Sequence, residues 1–109
     1  MTAKEVHELV KQGKVLLVDC REEPELVESG TAEGAVWMPL SAMIDDTDEW
    51  RAFKRSIPDD KTVVAYCKLG GRSGRMCEFL ACDGIKVVNL GGFSEWTSAG
   101  LPVRKVSKK

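Results

Sequence analysis

The chain has 109 residues, with 16 Lys plus Arg against 17 Asp plus Glu and 43% hydrophobic residues, the proportions of one ordinary globular domain, so a single domain over 1–109 is expected. A formal net charge of −1 offers no electrostatic footprint for a polyanion, and neither nucleic acid nor a membrane is expected as a partner. The longest apolar runs, such as Val15-Leu16-Leu17-Val18, fall far short of the roughly 20 residues a spanning helix requires.

Lys4 and Glu5 stand where an export signal would be apolar, so a cytoplasmic location is expected, although a trimmed exported form would read the same. Four cysteines are too few and too scattered for a disulfide framework, and reduced thiols are expected. The chain has no C-x-x-C, His7 is its only histidine, and Cys77 and Cys82 would point roughly 140° apart on a helix. No metal and no cofactor is therefore expected.

Val6, Leu9 and Val10 recur at helical spacing before Gly13, which predicts a first amphipathic helix over Ala3–Gln12. His7 lies beside that stripe among charges and reads as a surface residue. Val15–Val18 is an unalternating apolar run ending in Asp19-Cys20-Arg21, the pattern of a strand buried on both faces that delivers polar groups at its carboxyl end. A short helix over Glu22–Ser29 stops at Gly30, and Ala35–Met38 before Pro39 reads as a second strand.

Trp50 and Phe53 mark a helix over Asp48–Arg55. The acidic cluster Asp45-Asp46-Thr47-Asp48-Glu49 lies at that helix's start, where the dipole favours negative charge. Val63–Tyr66 is a third strand running into Cys67, and Lys86–Leu90 a fourth running into Gly91-Gly92. Between them Met76, Phe79 and Leu80 mark a helix over Ser73–Cys82, with Ser73 as its expected N-cap and Gly84 as its stop. Arg104–Lys109 reads as a solvated basic tail. Short apolar strands alternating with helices define an α/β fold with a mainly parallel central sheet and helices on both faces. In such sheets the functional crevice lies at the carboxyl ends of the strands.

Cys67-Lys68-Leu69-Gly70-Gly71-Arg72-Ser73 follows a buried strand and opens a helix. Its glycines permit positive φ and close backbone approach, so the loop can curl around the sulfur and turn several N–H groups inward as an anion nest. The helix adds its positive end. Such a field should pull the thiol pKa below the free value of about 8.5, which makes Cys67 the candidate nucleophile and removes the need for a general base. Lys68 and Arg72 add cationic donors suited to an incoming anion.

The segments in chain order resemble the rhodanese-like sulfurtransferase family. Leu17-Val18-Asp19-Cys20-Arg21 is similar to that family's strand with Asp-x-Arg, Gly34-Ala35 with Met38-Pro39 resembles its Gly-Ala and Pro segment, and Gly91-Gly92-Phe93-Ser94-Glu95-Trp96 resembles its Gly-Gly-x-x-x-Trp close. Cys67–Ser73 is similar to its active-site loop. The resemblance implies a rhodanese-like fold in which Cys67 accepts a sulfane sulfur as a persulfide. Lys68, Leu69, Gly70, Gly71 and Arg72 would form the cradle, with Ser73 beside it.

It implies a small anionic, thiosulfate-like sulfur donor and cyanide, a thiol or a protein cysteine as acceptor. Gly30-Thr31-Ala32-Glu33-Gly34-Ala35 departs from the family, since Thr31 stands where a histidine is usual and Glu33 where a proline is. Two alternatives are a phosphatase or arsenate reductase on the related fold, whose loop is one residue longer, and a non-catalytic binding module, whose usual mark is loss of the nucleophile.

Asp19 and Arg21, at a strand end, are candidates for pairing with each other or with the loop. Cys20 could reach Cys67 as a resolving thiol or serve as a small core residue. Cys77, Cys82, Trp37, Phe93 and Trp96 read as packing, and Arg75 as a solvated helix residue at the rim of the loop.

Overall fold

Thr2 starts the first helix: its hydroxyl accepts from the Glu5 N–H while the Glu5 carboxylate accepts from the Thr2 N–H, a reciprocal cap. The computed structural model describes residues 1–107. That helix, α1 (Ala3–Lys11), leads into β1 (Val15–Asp19), α2 (Glu23–Ser29), β2 (Thr31–Ala32), β3 (Val36–Trp37), α3 (Leu40–Ile44) and α4 (Asp48–Ser56). The remaining elements are β4 (Thr62–Cys67), α5 (Gly71–Cys82), β5 (Val87–Gly92), α6 (Phe93–Ser98) and β6 (Val103–Arg104).

Four strands form a parallel sheet in the order β3-β1-β4-β5. The side-chain alternation of β4 divides the interior. Val63, Ala65 and Cys67 face a core with Val18, Trp50, Met76 and Leu80, whereas Val64 and Tyr66 face a second core with Val6, Leu17 and Trp96. Helices therefore cover both faces, as the unalternating strands require.

The register of β4 against β5 slips after Ala65, which pairs with Asn89, so that Tyr66 pairs with Gly91 and Cys67 with Gly92. Leu90 is the extra residue of this bulge. The strand expected over Lys86–Leu90 thus runs two residues further, through the glycine pair. Gly91 adopts φ 105°, and a Cβ at Gly92 would meet the Lys68 carbonyl oxygen at 2.4 Å. Only a glycine lets the loop after Cys67 lie this close to β5.

Several expectations need correction. Ser73 is not the N-cap of α5: Gly70, at φ 98°, holds that position and the helix begins at Gly71, because the left-handed residue turns the chain three residues earlier. The tail is not simply a solvated end. Val103–Arg104 pairs antiparallel with Thr31–Ala32, and Arg104 donates to the Ala35 carbonyl at 3.1 Å; Lys108 and Lys109 lie outside the described residues. Trp37 is 42% exposed and its indole N–H donates to the Arg21 carbonyl, so it caps an edge and does not fill a core. Cys82 is exposed, while Cys77 is buried.

Trp96 and Phe93 pack the closing helix as expected, Trp96 fully buried with its indole N–H on the Pro102 carbonyl and Phe93 stacked on Tyr66. His7 stands edge-on to Trp96 at 5.5 Å, half-buried on the sheet face opposite Cys67.

Candidate active site

β4 ends at Cys67, and Gly70 folds the chain back so that its own N–H donates to the Cys67 Sγ at 2.9 Å. The Ser73 hydroxyl, in the first turn of α5, lies 3.4 Å from the same sulfur. Burial pushes the Cys67 thiol up, but the Ser73 hydroxyl and the N–H groups of Ser73, Gly70 and Leu69 outweigh it and hold the thiol below its ordinary value. The residue is only 1% exposed, so the charged form is stabilised by fixed dipoles and little by bulk water.

Asn89, on the bulged part of β5, staples this loop from outside. Its amide donates to the Gly70 carbonyl at 2.9 Å, and its Oδ1 accepts from the Gly91 N–H at 3.0 Å and from the Ser73 hydroxyl at 2.7 Å. The Ser73 hydroxyl has one hydrogen, and rotation about a single bond hands it from the amide to the sulfur. Asn89 escapes detection in the sequence, where its one signal is a polar residue inside an otherwise apolar strand before Gly-Gly.

The two cations of the loop diverge. Lys68 is exposed and makes no ion pair among the described residues. Arg72 is engaged bidentately with Glu25 of α2, Nη1 to Oε1 at 2.5 Å and Nη2 to Oε2 at 2.9 Å. Arg72, expected to offer donors to an incoming anion, here spends one N–H of each terminal nitrogen on Glu25. Nothing in the acidic run Glu22, Glu23, Glu25 and Glu28 singles out this carboxylate.

Asp19 and Arg21 pair with each other beneath the site. The Arg21 Nη2 lies 2.8 Å from Asp19 Oδ2, and the guanidinium also donates to the Ser29 hydroxyl and the Gly30 carbonyl while resting 4.3 Å from the Phe93 ring centroid. Asp19 accepts further from Thr31 and Tyr66, both at 2.8 Å. Thr31 thus fills a buried structural position. Cys20 is fully buried with its thiol 3.5 Å from the Met76 sulfur, and burial pushes its pKa up, an environment for a core residue and not for a resolving thiolate.

A cleft of about 410 Å³ opens beside the loop, with Arg21, Glu25, Glu28, Lys68, Leu69 and Phe93 among its walls. Leu69 stands at its edge, 89% exposed.

The fold coincides with what comparison finds. The rhodanese-like domain family model matches residues 2–99. A protein of Allochromatium vinosum named sulfurtransferase is 36% identical over 91 residues, covering 82% of this chain and 78% of its own length. The Bacillus subtilis protein YqhL, uncharacterized, is 38% identical over 76% of this chain, and the match spans 61% of that longer relative. A rhodanese-related protein of Thermoplasma volcanium superposes with a TM-score of 0.75 at 28% identity, covering 94% of each chain. The chain belongs to the rhodanese-like family, whose fold of central parallel sheet and flanking helices it shares.

Proposed function

We propose that this protein is a sulfurtransferase that carries a sulfane sulfur on Cys67 as a persulfide. The observation that carries the reading is the Gly70 N–H at 2.9 Å from Sγ, one of several donors that favour an ionised sulfur without a general base. The thiolate attacks the outer sulfur of a donor such as thiosulfate, a Cys–S–S bond forms, and the donor's own S–S bond breaks with sulfite leaving on the electron pair. The persulfide anion is held by the same N–H dipoles. Cyanide, a small thiol or a partner protein's cysteine then bonds the outer sulfur and releases the Cys67 thiolate.

Lys68 is the cation available to an anionic donor, while Arg72 acts through the loop that Glu25 braces. The span of four residues between Cys67 and Arg72 makes a bowl narrower than an oxyanion hydrolase would use, which favours sulfur over phosphate or arsenate.

Intact mass measurement after incubation with thiosulfate or an alkyl persulfide tests the reading. The expected result is gain of one sulfur on Cys67, stripped by cyanide as thiocyanate and lost in Cys67→Ser. Retained transfer in that variant, or a gain mapped to another cysteine, refutes Cys67 as the carrier.

A further inference from the structure

Resting on that reading, we infer that Glu25 sets the charge of the sulfur donor: by holding Arg72 it removes the guanidinium from the anion site, so the mouth selects a persulfide, R–S–SH, over a dianion such as thiosulfate. Cys67 would bond the outer sulfur, the donor's S–S bond would break, and R–S⁻ would leave with the electron pair while the proton stays on the transferred sulfur.

A guanidinium at the sixth position of such a loop has the fork geometry to clasp an oxyanion with two parallel N–H bonds. Here both terminal nitrogens of Arg72 already make that bidentate contact with the Glu25 carboxylate. Glu25 is itself fixed, because its Oε1 also accepts from the Glu22 N–H at the start of α2. Arg72 holds the Glu25 carboxyl down at about 2, so the pair stays ionised at neutral pH.

The guanidinium that lines the cleft, Arg21, is committed to Asp19, Ser29 and the Gly30 carbonyl. The cleft walls thus balance Arg21 and Lys68 against Glu25 and Glu28, which gives no net positive field to draw in a dianion. Leu69 and Phe93 supply apolar wall beside Lys68, suited to the alkyl part of a persulfide, which brings at most one charge against the two of thiosulfate.

Charge-selective alkylation reads the latch without depending on sulfur transfer. Rates of Cys67 modification by iodoacetate and iodoacetamide, followed by peptide mass, are compared in the wild type, Glu25→Gln and the double variant with Arg72→Gln. The iodoacetate to iodoacetamide ratio should rise on the order of tenfold in Glu25→Gln and fall back in the double variant, the scale of one charge-assisted contact. An unchanged ratio, a rise that survives loss of Arg72, or an equal fall in both rates (a mere brace) overturns the proposal.

Loading from thiosulfate and from 2-hydroxyethyl persulfide gives the second readout. The wild type should load faster from the persulfide, and Glu25→Gln should gain on thiosulfate alone. Equal loading of the wild type by both donors also overturns it. If neither donor loads Cys67, the sulfur-transfer reading fails, and with it the donor preference, while the alkylation ratio still decides whether Glu25 withholds Arg72 from anions.

Discussion

Replacing Gly92 by alanine adds one methyl group to the strand that passes under the loop. Its φ and ψ of −100° and 156° are open to any residue, so the cost is not backbone strain. It is contact: the new Cβ would stand 2.4 Å from the Lys68 carbonyl oxygen, against 3.4 Å for ordinary contact. Backbone on both sides of that contact cannot rotate away as a side chain would, so the Lys68 peptide must retreat by about 1 Å.

A displacement of that size can stretch the Gly70 N–H contact, now 2.9 Å from the sulfur, by up to about 1 Å, to the far limit for a sulfur acceptor, where most of the hydrogen bond is lost. A hydrogen bond to a charged group contributes about 1.5–3 kcal/mol, equivalent to about 10- to 100-fold in the equilibrium between thiolate and thiol. Gly92→Ala should therefore slow iodoacetamide modification of Cys67 at neutral pH and sulfur loading by about that factor, while urea unfolding shows a folded protein. Wild-type reactivity in a folded Gly92→Ala variant would refute the reasoning that a close-fitting backbone ring sustains the charged sulfur.

Tyr66→Phe removes a buried hydroxyl that accepts from the Ala32 N–H at 2.9 Å and donates to Asp19 at 2.8 Å. The Ala32 amide is left buried without a partner, so urea unfolding should report a loss of about 1–3 kcal/mol, and a change below about 0.5 kcal/mol would contradict the accounting. Glu25 tests the pH dependence of the latch. Its Arg72 hydrogen bonds lower its pKa from 4.5 to about 2, so the folded state binds fewer protons than the unfolded one. Its contribution is therefore full above the unfolded value and disappears as pH falls through the folded one. Because the pair is partly exposed, that contribution is roughly 1 kcal/mol after solvent screening. The stability gap between wild type and Glu25→Gln should close as urea titrations move from neutral pH to about pH 2, and a gap constant with pH would show that the ion pair is not its source.

Cys67 was legible because a buried strand, a reactive side chain and a glycine loop adjoin in sequence, so local physics is enough to bring them together. The parallel sheet was legible for a similar reason, since Val15–Val18 and Val63–Tyr66 are apolar without alternation. What escaped depends on contacts distant in sequence. β2 and β6 are two residues each, too short to carry a pattern, and exist by pairing across the chain. α3 is five residues entered from Pro39 and has no periodicity to detect. Glu25 and Asn89 lie 47 and 16 residues from their loop partners Arg72 and Ser73, and their roles depend on where α2 and the β5 bulge fall in space.

The division of labour across β4 explains why no histidine base need accompany the proposed thiolate. Tyr66 and Cys67 are neighbours in sequence and point to opposite faces. On one face Tyr66 is fixed by Asp19, Thr31 and the Ala32 amide and stacked against Phe93 at 5.8 Å. The end of β4 therefore cannot twist without breaking a buried, fully bonded network. On the other face that rigidity passes to the loop, whose peptide N–H groups are aimed by the backbone and keep the same protonation at every relevant pH. A base would ionise the thiol only while holding its proton nearby, whereas fixed dipoles stabilise the anion before and after the sulfur arrives. His7, packed against Trp96 on the Tyr66 face, lies on the far side of the sheet from that chemistry, and substitutions of the loop backbone should outweigh any change at His7.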